Sequence, residues 1–379
     1  MIYRNFQDIK LSALGFGCMR LPVKNGVYAD VDMPLARKMI DYAMQNGVNY
    51  YDTAWGYHDG NSESAMGEIL SKYPRESFYL ASKFPGYDLS NMGKVEEIFE
   101  AQLKKCRVDY FDFYLFHNVC ELNIEQYLDE KYGTFDYLIA QKKNGRIKHL
   151  GFSAHGEMDV IKRFLAKYGD YMEFGQLQIN YLDWEFQKAK EKVELLKSYN
   201  IPVWVMEPLR GGRLASLEER HAKILKTLRP DEGIPAWAFR FLQSLPEVCV
   251  ILSGMSAMEQ VEDNIKTFKE DKPLNRQETA AILSIADEMT GKTKLPCTAC
   301  RYCTSHCPKG LNIPELIKLY NEHRFTGNGG FIAPMALGAY EEGKLPKDCI
   351  GCRSCEKVCP QGIKISEMMA DFTARLKGE

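Results

Sequence analysis

No run of eighteen consecutive apolar residues occurs in the 379-residue chain, so nothing in it reads as a membrane-spanning helix. The opening MIYRNFQDIKLSALGFG lacks the apolar stretch of a secretory signal. Neither sign of charge is in excess: 49 Lys and Arg face 51 Asp and Glu, a formal net charge of −2. That balance gives no electrostatic reason to expect nucleic acid or a membrane as a partner. No low-complexity tract is present. Nor does a G-x-G-x-x-G turn follow the first strand-like run, where GFGCMR (15–20) carries only two glycines. The phosphate-binding signature of a doubly wound open sheet is therefore missing.

What the chain has in quantity is cysteine, twelve in all. Eight fall into two copies of C-x-x-C-x-x-C-x-x-x-C-P: Cys297, Cys300, Cys303, Cys307 and then Cys349, Cys352, Cys355, Cys359. The copies are offset by 349 − 297 = 52 residues, and the echo runs on, with PKGLNIPEL (308–316) answered by PQGIKISEM (360–368). Thiolates at this spacing suit a cubane iron–sulfur cluster. Zinc also takes paired C-x-x-C motifs, but usually as four ligands in two pairs, not as three plus a fourth before proline. The pattern resembles two-cluster ferredoxins, which implies two 4Fe–4S clusters. In those proteins the fourth cysteine of each run ligates the other cluster. That resemblance groups Cys297, Cys300 and Cys303 with Cys359, and Cys349, Cys352 and Cys355 with Cys307. The remaining Cys18, Cys106, Cys120 and Cys249 are scattered through apolar surroundings. Free thiols and cluster ligands both point to a reducing, cytoplasmic setting.

Ahead of the cysteines, short β-rich runs alternate with amphipathic helical stretches. The strands read as 11–17, 47–53, 77–83, 110–117, 146–153, 174–180, 201–206 and 248–253. Pro34 marks a helix start, and Gly145 follows a helix end. Eight β-then-α units predict an α/β fold, a (β/α)8 TIM barrel. Residues 274–292 read as one more helix outside the repeat. The expected division is a barrel over 1–290 and a mainly α-helical ferredoxin-like domain over 291–379.

Active groups in such a barrel lie at the C-terminal ends of strands. Those ends carry Asp52, Tyr57 in the loop beyond it, Lys83 and His117. Alone, a strand-end Asp commonly caps a loop, and a single Lys is usually solvated. Together on consecutive strands they make an electrophilic pocket for a carbonyl about to accept a hydride. A phenol with a pKa near ~10 would be made more acidic by a neighbouring Lys83 ammonium. Asp52 would hold that ammonium, and His117 would donate a hydrogen bond to the carbonyl oxygen.

DTAWGYHDGNSE (52–63), ASKFP (81–85), FYLFHN (113–118), GFSAH (151–155), QLQINY (176–181), EPLRGGRL (207–214) and ILSGMSAMEQVEDN (251–264) resemble the aldo-keto reductase family. The whole chain is similar to a prokaryotic branch carrying a C-terminal dicluster domain. The resemblance implies a (β/α)8 barrel that binds NAD or NADP and reduces an aldehyde or ketone, with Tyr57 as proton donor. It implies that Ser153 and Gln178 hold the nicotinamide carboxamide, with Met206 where many members stack a tyrosine. Pro208, Leu209, Arg210 and Gly211 match the loop around the pyrophosphate, and Asn264 matches an adenine-side position. Gly254 and Gln260 stand near the places where well-known members grip a 2′-phosphate with basic residues. Ala154 replaces a common asparagine. His58, His155, Trp55 and Trp184 are further pocket candidates.

A nicotinamide delivers two electrons as hydride, whereas such clusters pass electrons singly. Three readings follow. One is a carbonyl reductase acting on a small molecule, with clusters for structure or electron transfer. Another is an oxidoreductase fed through the clusters by a ferredoxin or flavoprotein. The last is a non-catalytic nucleotide-binding redox sensor.

Overall fold

The computed structural model describes residues 1–291, 294–327 and 330–378. Internal contacts divide the chain into two units, Met1–Ile285 and Ala286–Glu379. This division falls within the helix Arg276–Gly291.

In the first unit, a hairpin of β1 (Tyr3–Phe6) and β2 (Ile9–Ser12) precedes a closed, all-parallel barrel. Its strands are β3 (Leu14–Gly17), β4 (Tyr50–Asp52), β5 (Tyr79–Phe84), β6 (Phe111–Val119), β7 (Ile147–Ala154), β8 (Phe174–Gln178), β9 (Val203–Met206) and β10 (Val248–Gly254). β10 pairs with β3 to close the ring. All eight expected strands form, with one correction. The run 11–17 is not a single strand but breaks at Ala13, with Leu11 and Ser12 in the hairpin and Leu14 onward in the barrel. Ser12 is the pivot: its hydroxyl donates to the Leu14 carbonyl at 2.7 Å, and its N–H donates to Asn49 Oδ1 at 2.8 Å.

The hairpin was not legible as a separate element, and it serves the core. Phe6 packs edge-on against Trp204 and His149, each at 5.0 Å between ring centres, among Tyr50, Phe113 and Phe174. A side chain buried to that degree contributes about 1.5–3 kcal/mol. The connecting helices follow the apolar spacing. Met33–Gln45 buries Ala36, Met39, Ile40 and Ala43; Asp32 caps it by accepting from Leu35 N, and Pro34 sits in its first turn. Gly145, at φ +76°, follows Thr134–Lys143. The helix Glu219–Leu228 went unread because it buries little more than His221 and Leu225.

The second unit is helical, and its repeat is structural as well as sequential. Gly310 and Gly362, both at φ +61°, turn the chain into the helices Ile313–Thr326 and Ile365–Lys377. Leu316, Ile317, Met369 and Phe372 share one core. Of the glycine-rich stretch between the cysteine runs, Ile332–Leu337 is helical, and residues 328–329 lie outside the described residues. Among the described residues no helix is long and apolar enough to cross a membrane.

Candidate active site and thiol cages

Asp52 ends β4, and Lys83 stands one residue before the end of β5, so neighbouring parallel strands deliver both to one rim. Lys83 is fully buried. Its Nζ donates to Asp52 Oδ1 at 2.6 Å and to the Thr53 carbonyl at 2.7 Å. Burial pushes the Asp52 carboxyl up from the usual range, and the Lys83 charge opposes that. Asp52 Oδ2 is buried without a hydrogen-bond partner. Behind the pair, Gln102 Nε2 donates to the Lys83 carbonyl at 3.0 Å and to buried Glu63 at 2.7 Å, while Tyr114 donates to Gln102 Oε1 at 2.6 Å. This network fixes the Lys83 backbone from the helix side.

Tyr57 is half-buried and opens a short turn, Tyr57–Gly60, in which His58 and Asp59 adopt left-handed φ of 54° and 52°. His58 ties that turn down. Its Nε2 accepts from Leu21 N at 3.1 Å, so Nδ1 carries the proton and donates to the Tyr28 carbonyl at 2.7 Å. The candidate His58 thus holds the Tyr57 loop and does not face the pocket. Lys83 Nζ lies 5.0 Å from the centre of the Tyr57 ring, and His117 meets the same ring edge-on at 6.0 Å. The four residues expected from the strand ends converge.

Two electrostatic features stand out. His117 is held well below the ordinary imidazole range, first by burial and then by Lys83 and His155, so it is neutral. The Tyr57 phenol, expected to become more acidic beside Lys83, is instead pushed well above its ordinary range. Burial is the largest cause, followed by the Asp52 charge. Tyr87 was missed. From the loop after β5 its ring packs edge-on to His117 at 5.1 Å, and its hydroxyl lies where a side chain on Gly56 would be, 2.3 Å from that Cβ position. No spacing rule reaches this residue, since only the fold brings 87 against 56.

The residues expected to hold a dinucleotide occupy the ends of β7 to β10, the loop after β9 and the helix Met258–Thr267 that follows β10. Ser153 Oγ accepts from Asn118 N at 2.8 Å, Gln178 Nε2 donates to Asp183 Oδ2 at 2.8 Å, and Met206 receives a weak contact from Gln176 at 3.7 Å. Arg210 departs from the expected phosphate role. It is buried, and its Nε bridges both Asp183 oxygens at 3.0 and 3.1 Å, which shapes the loop Pro208–Leu209–Arg210–Gly211 from inside. Asn264 donates to Ser253 Oγ at 3.0 Å, and Gln260 accepts from Ser256 N at 2.7 Å. Gly254 is exposed. His155 is pushed down to about 3, mainly by burial. Trp55 packs under Lys105, 3.8 Å from the ammonium, and Trp184 packs on Phe241.

In the second unit, two cavities are each lined by four thiols. One holds Cys297, Cys300, Cys303 and Cys359, with Ile317, Ile363 and Ile365 among its walls. The other holds Cys307, Cys349, Cys352 and Cys355, with Leu311, Ile313 and Ile365. The fourth cysteine of each run faces the other run's cage, the crossed arrangement. Left-handed residues recur at matching places, Ala299 with Gly351 and Arg301 with Arg353, and they curl each C-x-x-C loop around its cavity. Backbone N–H groups of Ala299 and Leu311 approach Cys297 Sγ and Cys307 Sγ at 3.4 and 3.5 Å. Among the described residues no group of three or more His, Cys, Asp or Glu is arranged around a single metal ion. Four thiols on an apolar-walled cavity fit a cubane cluster.

A (β/α)8 barrel with these groups on its C-terminal rim, joined to paired four-thiol cages, defines an oxidoreductase of two modules. The Aldo/keto reductase family model matches residues 13–287, and the chain belongs to that family. A 4Fe–4S dicluster domain model matches residues 296–363, so the chain carries two 4Fe–4S clusters. The chain is 25% identical over 307 residues to the uncharacterised oxidoreductase YqkF of Bacillus subtilis, covering 73% of this chain and 93% of that one. It is 26% identical over 304 residues to the NADH-specific methylglyoxal reductase of Escherichia coli, covering 68% and 90%. Aldo-keto reductase AKR11C1 of Bacillus halodurans, in its holo form, superposes with a TM-score of 0.62 at 25% identity, covering 75% of this chain and 96% of that one.

Proposed function

We propose that the barrel, taken as residues 1–290, reduces the carbonyl of a small aldehyde or ketone with NADH or NADPH, with Tyr57 as proton donor. The observation that carries this is the buried Lys83–Asp52 pair, 2.6 Å apart, directly beside the Tyr57 and His117 rings. The similarity to the Escherichia coli NADH-specific methylglyoxal reductase supports the same class. A nicotinamide dinucleotide, when bound at the rim, would supply the hydride. Ser153 and Gln178 would hold its carboxamide, with Met206 beside them at the end of β9. Neutral His117 donates a hydrogen bond to the carbonyl oxygen and fixes its direction. Tyr57 transfers its phenolic proton to that oxygen as negative charge develops there. Lys83, anchored by Asp52, stabilises the phenolate left behind. Tyr87 roofs the pocket and limits the shape of carbonyl admitted.

A second reading is favoured by the crossed thiol cages. The dicluster domain, taken as 291–379, would receive single electrons from an external ferredoxin or flavoprotein in a cytoplasmic setting. The two readings separate experimentally. Anaerobically purified protein should oxidise NADH or NADPH with a panel of carbonyls. Tyr57→Phe should lower that rate by about two to four orders of magnitude, the scale of a lost general acid, with the cluster absorbance unchanged. Turnover driven by reduced ferredoxin but by neither nucleotide would favour the second reading over the first.

A further inference from the structure

Arg20, in the turn Cys18–Arg20 directly after β3, reaches across the rim to the two loops that follow β9 and β10. Its Cβ, Cγ and Cδ lie 3.1–3.2 Å from where a side chain on Gly254 would begin, and its Nη2 lies 3.3 Å from the corresponding point on Gly211. The stem therefore occupies the space over the end of β10, and the head sits at the loop after β9. The side chain is exposed, and no hydrogen bond or ion pair within 4 Å engages its guanidinium among the described residues; the nearest opposite charge is the buried Glu207 carboxylate, whose ionised form Arg20 favours. The turn is fixed from the other side, since Ser256 Oγ donates to the Arg20 carbonyl at 2.8 Å. β9 and β10 are the seventh and eighth barrel strands, and the loops after those strands are where (β/α)8 barrels most often hold phosphate. Gly211 and Gly212, at φ +65° and +93°, expose backbone there without side chains. Of the two arginines in that loop, Arg210 turns its Nε inward onto Asp183, and Arg213 is exposed beyond the glycine pair.

We propose that Arg20 is the residue that grips the diphosphate of the bound dinucleotide, and that Gly254 is side-chain-free so that Arg20 can lie over it. A planar guanidinium with two outward N–H edges suits a diphosphate better than a single backbone N–H. The pairing also accounts for the missing basic side chain at position 254: the Arg20 stem fills that space and supplies the charge from the opposite side of the rim. The inference rests on the reductase reading of the barrel.

The test is equilibrium binding to the full-length, cluster-loaded protein, followed by nucleotide fluorescence with NADH and NADPH and by displacement with ADP-ribose. Arg20→Gln should weaken all three roughly 10- to 100-fold, the scale of a lost charge-assisted bond, and by similar factors. Gly254→Ala, which pushes a methyl group into the Arg20 stem, should weaken binding in the native background and add little in the Arg20→Gln background. Unchanged binding in Arg20→Gln overturns the proposal, as does a loss confined to NADPH, which would place the guanidinium on the 2′-phosphate. Additive effects of the two substitutions overturn the coupling to Gly254. Failure of the unsubstituted protein to bind any dinucleotide counts against the reductase reading itself, a separate result.

Discussion

Lys83→Met is the most informative perturbation of the barrel, because it removes one partner of a fully buried ion pair and keeps the volume. The ammonium makes contacts of 2.6 Å with Asp52 and 2.7 Å with the Thr53 carbonyl, and Asp52 has no other cation within ion-pair distance among the described residues. Leaving a buried carboxylate unpaired costs about 3–5 kcal/mol. The variant lowers that cost by binding a proton, because burial already pushes the Asp52 carboxyl up and only Lys83 opposes it. The sign follows from linkage. A carboxyl whose folded pKa lies above its unfolded value binds more protons in the folded state, so stability rises as pH falls. Between the raised folded pKa and the unfolded value near ~3.9 the slope is up to about 1.4 kcal/mol per pH unit. The deficit of Lys83→Met should thus shrink as pH falls through and below the raised folded pKa of Asp52. Lys83→Met/Asp52→Leu should recover most of it, because no charge is left in the site. All four tryptophans, Trp55, Trp184, Trp204 and Trp237, belong to the first unit. Anaerobic urea unfolding followed by tryptophan fluorescence therefore reports that unit separately from the clusters. A deficit below about 0.5 kcal/mol at neutral pH, the range of an ordinary surface substitution, would refute the argument. So would a deficit that does not change with pH.

Two further outcomes are expected. Crossed ligation predicts that Cys307→Ala/Cys349→Ala strikes one cluster twice and leaves the other, about four iron atoms per chain, while Cys307→Ala/Cys297→Ala strikes both. Iron analysis with electron paramagnetic resonance of the reduced protein checks this, and the reverse pattern would refute the crossing. The pH–rate profile for carbonyl reduction should lack a limb near neutrality. His117, with its pKa lowered, stays neutral until well below the ordinary imidazole range, and Tyr57, with its pKa raised, keeps its proton well into the alkaline range. Stopped-flow nucleotide oxidation between about pH 6 and 9 measures it, and a midpoint near ~7 would contradict both assignments.

Eight strands and most of their helices were legible because burial enforces the apolar spacing, and the cage ligands were legible because cluster geometry demands their separation. The tetrad could be read from strand ends alone, since parallel register carries Asp52 and Lys83 to one rim without further information. The rest needed three dimensions. Arg210 looked like a phosphate ligand because arginines beside glycines often are, but Asp183, 27 residues away, claims it. Asn264 is likewise drawn to Ser253. Arg20 and Tyr87 were invisible because their meaning depends on Gly254, Gly211, Gly56 and His117, residues that are remote in the chain.

The expected acidification of Tyr57 by Lys83 is outweighed by burial and by the Asp52 charge, and the reason bears on mechanism. An ammonium acts as a full charge on a phenol only while it is uncompensated. Here Asp52 stands 2.6 Å from Lys83 Nζ, while the centre of the Tyr57 ring is 5.0 Å away. Coulomb energy falls as the inverse of distance, so Tyr57 experiences a pair whose positive end is largely cancelled, plus its own loss of water. Both keep the proton on the phenol at rest. A proton donor that must not ionise before its acceptor arrives is served by that balance. On the proposed reading, a carbonyl oxygen that gained negative charge beside Tyr57 would become a far stronger base than the phenolate, and the proton would move then. If Tyr57 is the proton donor we propose, Asp52 would do more than anchor the lysine, because its charge also keeps the proton on the phenol at rest.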